Sequence, residues 1–186
     1  MLLDMTIANF KSVRDEQTIS FEAVRDNRFS DSKVVSVTEK LKLIKSAAII
    51  GPNGAGKSSF IRALEALKAI VTATEETNNP LAILSGTSFA YSEEKNQPAT
   101  IIIRCILGSD EESGEPIIGV YTLVADRTKI YEESLHHVIG RSKRRMFERI
   151  LKEDELALND EELTYTYRWG KHYRGDKKRL VGKVDE

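Results

Sequence analysis

Cysteine is almost missing from these 186 residues, with Cys105 the single example. One thiol cannot staple a fold internally, so nothing calls for an oxidising compartment, and a cytoplasmic setting is the expectation. Neither sign of charge dominates. Lys and Arg total 28 against 29 Asp and Glu, so any nucleic-acid contact must come from a local patch and not from the field of the whole chain. No apolar run approaches the length that crosses a bilayer, and no membrane partner is expected. The opening MLLDMTIANF carries Asp4 and lacks the apolar stretch behind basic residues that marks a secretory leader. Internal repeats and low-complexity linkers are also missing. A chain of this length, with 40% hydrophobic and 31% charged residues, is expected to form a single domain, residues 1–186, with a sizeable core.

Patterning supplies the elements. Leu2 to Phe10 and Val13 to Phe21 read as two strands, joined too closely for a crossover and therefore antiparallel. Residues 25–33 are polar and read as a loop, and Val34 to Val37 as a short strand or turn. Leu41 to Ile50 is mostly apolar and predicts a buried strand. Apolar residues at 60, 61, 64, 67 and 71 have helical spacing, which predicts a helix over about 58–72, ending before Pro80. Thr100–Leu107, Ile117–Ala125 and Lys129–Val138 predict a β-meander over about 100–138. The rest, 139–186, reads as an insert of basic and acidic stretches with one strand at Thr164–Trp169.

The chemistry concentrates in AIIGPNGAGKSSF, residues 48–60. Gly51, Gly56, Lys57 and Ser58 fit the spacing G-x-x-x-x-G-K-[ST]. Glycines permit backbone angles that turn successive N–H groups into one concavity, and a helix starting there aims its positive end at the same point. Lys57 supplies a mobile positive charge for β- and γ-phosphates and is the catalytic candidate. The Ser58 hydroxyl is a ligand for Mg²⁺. A chance match in a chain this long arises on the order of 1% of the time. The phosphate loop spans 51–59, and the expected ligand is ATP with Mg²⁺.

The inner residues of PNGAGKSS, with IANFKSVRDEQTISF at the start, resemble ABC-type ATPases of the SMC-like, RecF-like and OLD-like branch. IYEESLHHVIGRSKRRMFER and TYRWGKHYRGDKKRL are similar to segments of bacterial AAA-family ATPases associated with abortive infection and phage defence. The resemblance implies an α/β fold: the P-loop NTPase core of an ABC-type head (lobe I) with an antiparallel β-subdomain. It implies ATP contacts from Lys11 and Ser12, from Gly51, Pro52, Asn53, Gly54, Ala55 and Gly56, and from Lys57, Ser58 and Ser59. It implies an ATPase whose heads dimerise through nucleotide as a homodimer and control an effector or nuclease partner, or a nucleic-acid transaction. Without the resemblance, Lys11 reads as a solvated turn residue.

A complete head of that type also carries a loop glutamine, a signature on a helix, a Walker B strand ending in Asp-Glu and a switch histidine. The nearest matches fail. Gly108 and Ser109 separate the apolar run 101–107 from Asp110, Glu111 and Glu112; Pro116 forbids a helix at Ser113-Gly114-Glu115; Gln97 precedes Pro98; no acidic residue marks His136 or His137. The expectation is therefore an incomplete head, the N-terminal half, which binds ATP and turns it over fast only within the complete protein. A nucleotide-binding sensor or scaffold that does not hydrolyse, and a small P-loop metabolite kinase, stay open as alternatives. Arg141, Lys143, Arg144 and Arg145 form a basic cluster that is a nucleic-acid candidate. Lys171, Arg174 and the basic residues after them, with Trp169 and Tyr173 between, form a second. Cys105 reads as a small buried hydrophobe.

Overall fold

The computed structural model describes residues 1–24, 30–74, 79–86, 89, 97–152 and 163–175. Its centre is a fully antiparallel sheet of seven strands. β1 (Leu2–Ala8) and β2 (Gln17–Ser20) pair first, followed by a helical turn α1 (Ser30–Lys33) and a small hairpin of β3 (Val34–Ser36) and β4 (Lys42–Ile44). Helix α2 (Lys57–Val71) comes next, then β5 (Ala99–Ser109), β6 (Pro116–Ala125), β7 (Ile130–Ile139), β8 (Ser142–Leu151) and β9 (Tyr165–Trp169). The strand order is β2-β1-β5-β6-β7-β8-β9. Among the described residues the fold is thus a mostly-sheet α/β arrangement with one long helix.

Paired residues share a face of a sheet, so the register defines two rows. One runs Met5, Ile103, Tyr121, Leu135, Phe147, Trp169; the other runs Ile7, Ile101, Leu123, Glu133, Arg149, Tyr167. α2 covers the β1–β5–β6 end of that face. Ala63, Ala66 and Leu67 join Met5, Ile7, Ile101 and Leu123 in the main core. The two alanines bring the helix backbone close to the sheet. Behind the face, Asp4 is held by Arg104 at 3.1 Å, and the hydroxyls of Thr6 and Thr18 bond at 2.7 Å.

Five expectations change. The strand expected over 41–50 ends at Ile44, and Ile49 and Ile50 are exposed. β4 pairs with β3 and meets the Phe21–Ala23 stretch on its other side, but beyond Ile44 no strand among the described residues offers a ladder to continue it. The buried stripe of α2 is Ser59, Ala63, Ala66 and Leu67, with Phe60 and Ile70 beside it, while Ile61, Leu64 and Val71 face outward. The stretch 139–151 is no insert, because β8 pairs residue by residue with β7 and extends the meander. Residues 25–33 are not all loop, since 30–33 form a helical turn, and Cys105 is half-buried on β5. The acidic run 153–162 and residues 25–29 lie outside the described residues.

Candidate nucleotide site

The loop before α2 owes its shape to two glycines with positive φ, Gly54 at 82° and Gly56 at 85°. Gly56 is the residue before the helix, and its left-handed backbone stops α2 from extending backwards. No side chain caps the helix start, and no acidic residue occupies its first turn. The Ser59 N–H donates to the Gly56 carbonyl at 2.9 Å. The helix entrance therefore presents backbone N–H groups and a positive dipole end with no competing carboxylate, an arrangement that suits an anion.

Lys57 lies over this entrance. Its Nζ donates to the Gly51 carbonyl at 2.7 Å and to the Pro52 carbonyl at 2.6 Å. Both acceptors are neutral. A phosphate oxygen would offer the ammonium a charge-assisted bond roughly twice as strong. Pro52, Asn53, Gly54, Ala55 and Ser58 are exposed around it, and Ala55 closes the turn by donating to the Pro52 carbonyl at 3.3 Å.

A second element reaches the loop from the N-terminal hairpin. Phe10 and Val13 exchange backbone hydrogen bonds at 2.9 and 3.0 Å, and both are buried. That fixes Lys11 and Ser12 at the tip of a two-residue turn. The tip is strained at Lys11, whose φ of 55° disfavours a side chain by about 1–2 kcal/mol, while Asn9 at the base of the turn has φ 47°, which asparagine tolerates. The Ser12 Oγ bonds to the Ser59 Oγ at 3.0 Å. A Cβ placed on Gly56 would come within 2.9 Å of Val13 Cγ2. Ser12 thus stands beside the loop, with Lys11 next to it in the turn, and Ser59 is buried with its hydroxyl turned to Ser12.

Sequence reasoning overlooked Asn9. Its Nδ2 donates to the Gln97 carbonyl at 2.7 Å and more weakly to that of Pro98 at 3.3 Å, and its Oδ1 accepts the Phe89 N–H at 3.0 Å. The available signals were its place at the end of a strand and a proline, which has no N–H to extend a ladder, at the start of another.

The basic cluster is elsewhere. Lys143, Arg144 and Arg145 lie on β8, four strands along the sheet from β1, beside Arg141 in the turn that precedes them. Arg145 is paired with Glu148 at 3.5 Å. The second cluster begins just after β9, where Lys171 and Arg174 are exposed. Asp110 sits in the β5–β6 turn, its carboxyl held below the usual range chiefly by the Ser113 N–H and hydroxyl. Among the described residues no three of His, Cys, Asp and Glu gather as a metal cluster. A cation at the loop would be held by the Ser58 hydroxyl and by phosphate oxygens, a mode that suits Mg²⁺. A groove of about 510 Å³ between Thr38–Leu41 and Ser113–Pro116 contains none of the predicted site residues.

A family model described as AAA domain matches residues 4–174. No curated protein matches the sequence.

Proposed function

The chain belongs to the AAA domain family, and from that premise we propose that it binds ATP with Mg²⁺ in the loop 51–59, as the N-terminal half of an ABC-type head of the SMC-like, RecF-like and OLD-like branch. Membership in the family suggests a nucleotide-binding ATPase in general terms. The observation that carries the finer reading is the loop itself: an uncapped helix entrance set by Gly56, with the Lys57 ammonium held over it by two neutral carbonyls. In this reading Lys57 moves to the β- and γ-phosphates, Ser58 helps to hold Mg²⁺, and Lys11 approaches from the hairpin turn. Bound Mg²⁺ supplies charge neutralisation between the phosphates.

The outward-facing Ile61, Leu64 and Val71 of α2 and the exposed run at 49–50 support the half-head reading, because a surface of that kind suits cover by a further layer. Water-orienting and signature groups then belong to that layer or to a partner head, so that the 186-residue chain binds ATP and turns it over slowly. Nucleotide-dependent dimerisation controlling an effector follows from the resemblance, and a phage-defence setting rests on the two looser motifs alone.

The test is calorimetry with ATP·Mg²⁺ on the wild-type chain and on Lys57→Ala, beside a turnover assay. The expected result is binding that weakens by at least about 100-fold in the variant, roughly 2.7 kcal/mol, without loss of the folded state. Affinities within about threefold of each other would sink the assignment. Rapid turnover by the isolated chain would leave the loop in place and overturn the half-head.

A further inference from the structure

The buried Asn9 lies outside the loop, yet it joins two parts of the molecule. β5 begins immediately after Pro98, and β1 ends immediately before Asn9. The last backbone pairing between them is Ala8 with Thr100. Beyond it the ladder has no further donor on the β5 side, since Pro98 has no N–H. The Asn9 carboxamide takes over. Its Nδ2 serves the carbonyls of Gln97 and Pro98, and its Oδ1 serves the Phe89 N–H. On the other side, the Asn9 backbone N–H bonds to the Arg14 carbonyl at 2.9 Å and closes the base of the turn that carries Lys11 and Ser12.

We propose that Asn9 is a positioning residue for the nucleotide site: its carboxamide anchors the strained turn 9–14 to Phe89, Gln97 and Pro98, and thereby holds Lys11 and Ser12 against the phosphate loop. The inference rests on the reading of residues 51–59 as an ATP site. The strain supplies the physical reason. A turn that holds Lys11 at positive φ relaxes unless its surroundings hold it. Buried Phe10 and Val13 hold its middle, while the Asn9 carboxamide bonds its base to the residues that lead into β5. Asparagine is also among the few residues that tolerate a left-handed backbone while offering both a donor and an acceptor, so the position uses both properties at once.

The variant that separates them is Asn9→Gly, which keeps the backbone conformation accessible and removes the carboxamide. Binding of ATP·Mg²⁺ is measured on the folded 186-residue chain for wild type, Asn9→Gly, Lys11→Ala with Ser12→Ala, and the triple variant. The expected result is a loss of about three- to tenfold in Asn9→Gly, shrinking to under about twofold in the background without Lys11 and Ser12. An Asn9→Gly affinity within about twofold of wild type overturns the inference while leaving the loop assignment standing. An equal loss in both backgrounds also overturns it, because Asn9 would then act on the fold and not through the turn. Wild type that binds no better than Lys57→Ala removes the ATP site, and this inference with it. Should Asn9→Gly fail to fold, Asn9→Asp is read the same way, since it keeps the acceptor for Phe89 and loses both donor contacts.

Discussion

At the α2 end of the sheet the two shared rows read Met5, Ile7, Ile101, Ile103 and Leu123; toward β9 the same rows read Glu133, Phe147, Arg149, Tyr167 and Trp169. On this face the first end is held by aliphatic burial, with Ile7, Ile101 and Leu123 almost wholly buried under the helix. The second is held by directional contacts. Phe147 meets Tyr121, Trp169 and Tyr173 with ring centroids 6.2 to 6.5 Å apart, Tyr167 stacks on Trp169, and the Arg149 Nε lies 2.6 Å from Glu133. Aliphatic burial is indifferent to orientation and stiffens what lies on it. It leaves the backbone of the adjoining loop free to be shaped by glycines and left-handed turns. The aromatic end spends its side chains on each other and on ion pairs. The difference predicts that substitutions near α2 alter nucleotide binding and stability together, and that substitutions near β9 alter stability alone.

The largest effect expected in that comparison belongs to Gly56→Ala. The backbone there has φ 85°, and the new methyl would meet Val13 Cγ2 at 2.9 Å. Strain in the left-handed region and a forced shift of a buried valine together should destabilise the fold by about 2–3 kcal/mol. Because the same residue sets the helix entrance, ATP affinity should fall with stability. Denaturant unfolding and calorimetry check the two halves separately. Loss of stability with unchanged affinity would mean that the loop adapts independently of the helix, and the near end would lose its distinguishing property.

Much of this division was open to a reader of the sequence. The G-x-x-x-x-G-K-[ST] spacing marked the loop because phosphate cradles constrain residue type and separation at once, and α2 followed from period and from Pro80. The meander was legible through alternation. What escaped was whatever depends on pairing. Ala47 to Ile50 has the composition of a buried strand, but a strand needs a neighbour, and composition does not say whether one arrives. β8, reading SKRRMFERIL, is too charged to look like an interior strand. Its Arg149 and Glu148 form cross-strand pairs with Glu133 and Arg168 that no local pattern reveals. Asn9 was invisible for the same reason, since its partners lie 80 to 89 residues away.

At the far end the sharper test is Glu133→Gln. Glu133 accepts the Tyr121 hydroxyl and faces Arg149 across the strands. Burial first, and then the Glu133 charge, push the Tyr121 phenol above its ordinary range. Glutamine preserves an acceptor for Tyr121 and removes the charge. Arg149 is then left partly buried without its counter-ion, at a cost of about 1–2 kcal/mol, below the full value for a wholly buried pair because both groups keep some solvent. Thermal or denaturant unfolding measures the loss. ATP affinity should stay within about twofold of wild type. A larger change in affinity would break the comparison, since the two ends would then be coupled through the sheet.

The smallest effect is a pH dependence confined to the far end. His136 and His137 lie on β7, opposite Arg145 and Arg144. Burial is the first cause that lowers both imidazole pKa values; Lys143 and Arg145 add to it for His136, partly opposed by Glu148, and His172 adds to it for His137. A histidine that resists protonation when folded takes up its proton more readily when unfolded. The contribution to stability is therefore fully present above the ordinary value near 6.5 and is lost as pH falls from there through the lowered folded-state values. Both rings keep solvent contact, so the melting temperature should drop only slightly between pH 7.5 and 5.5, on the order of 2 °C. Replacing both histidines with glutamine should flatten that slope and leave the melting temperature at pH 7.5 nearly unchanged. A slope that persists in the double variant would assign the acid sensitivity to other groups, and Asp4 is not among them, because burial raises its carboxyl pKa and so makes acid favour the folded state.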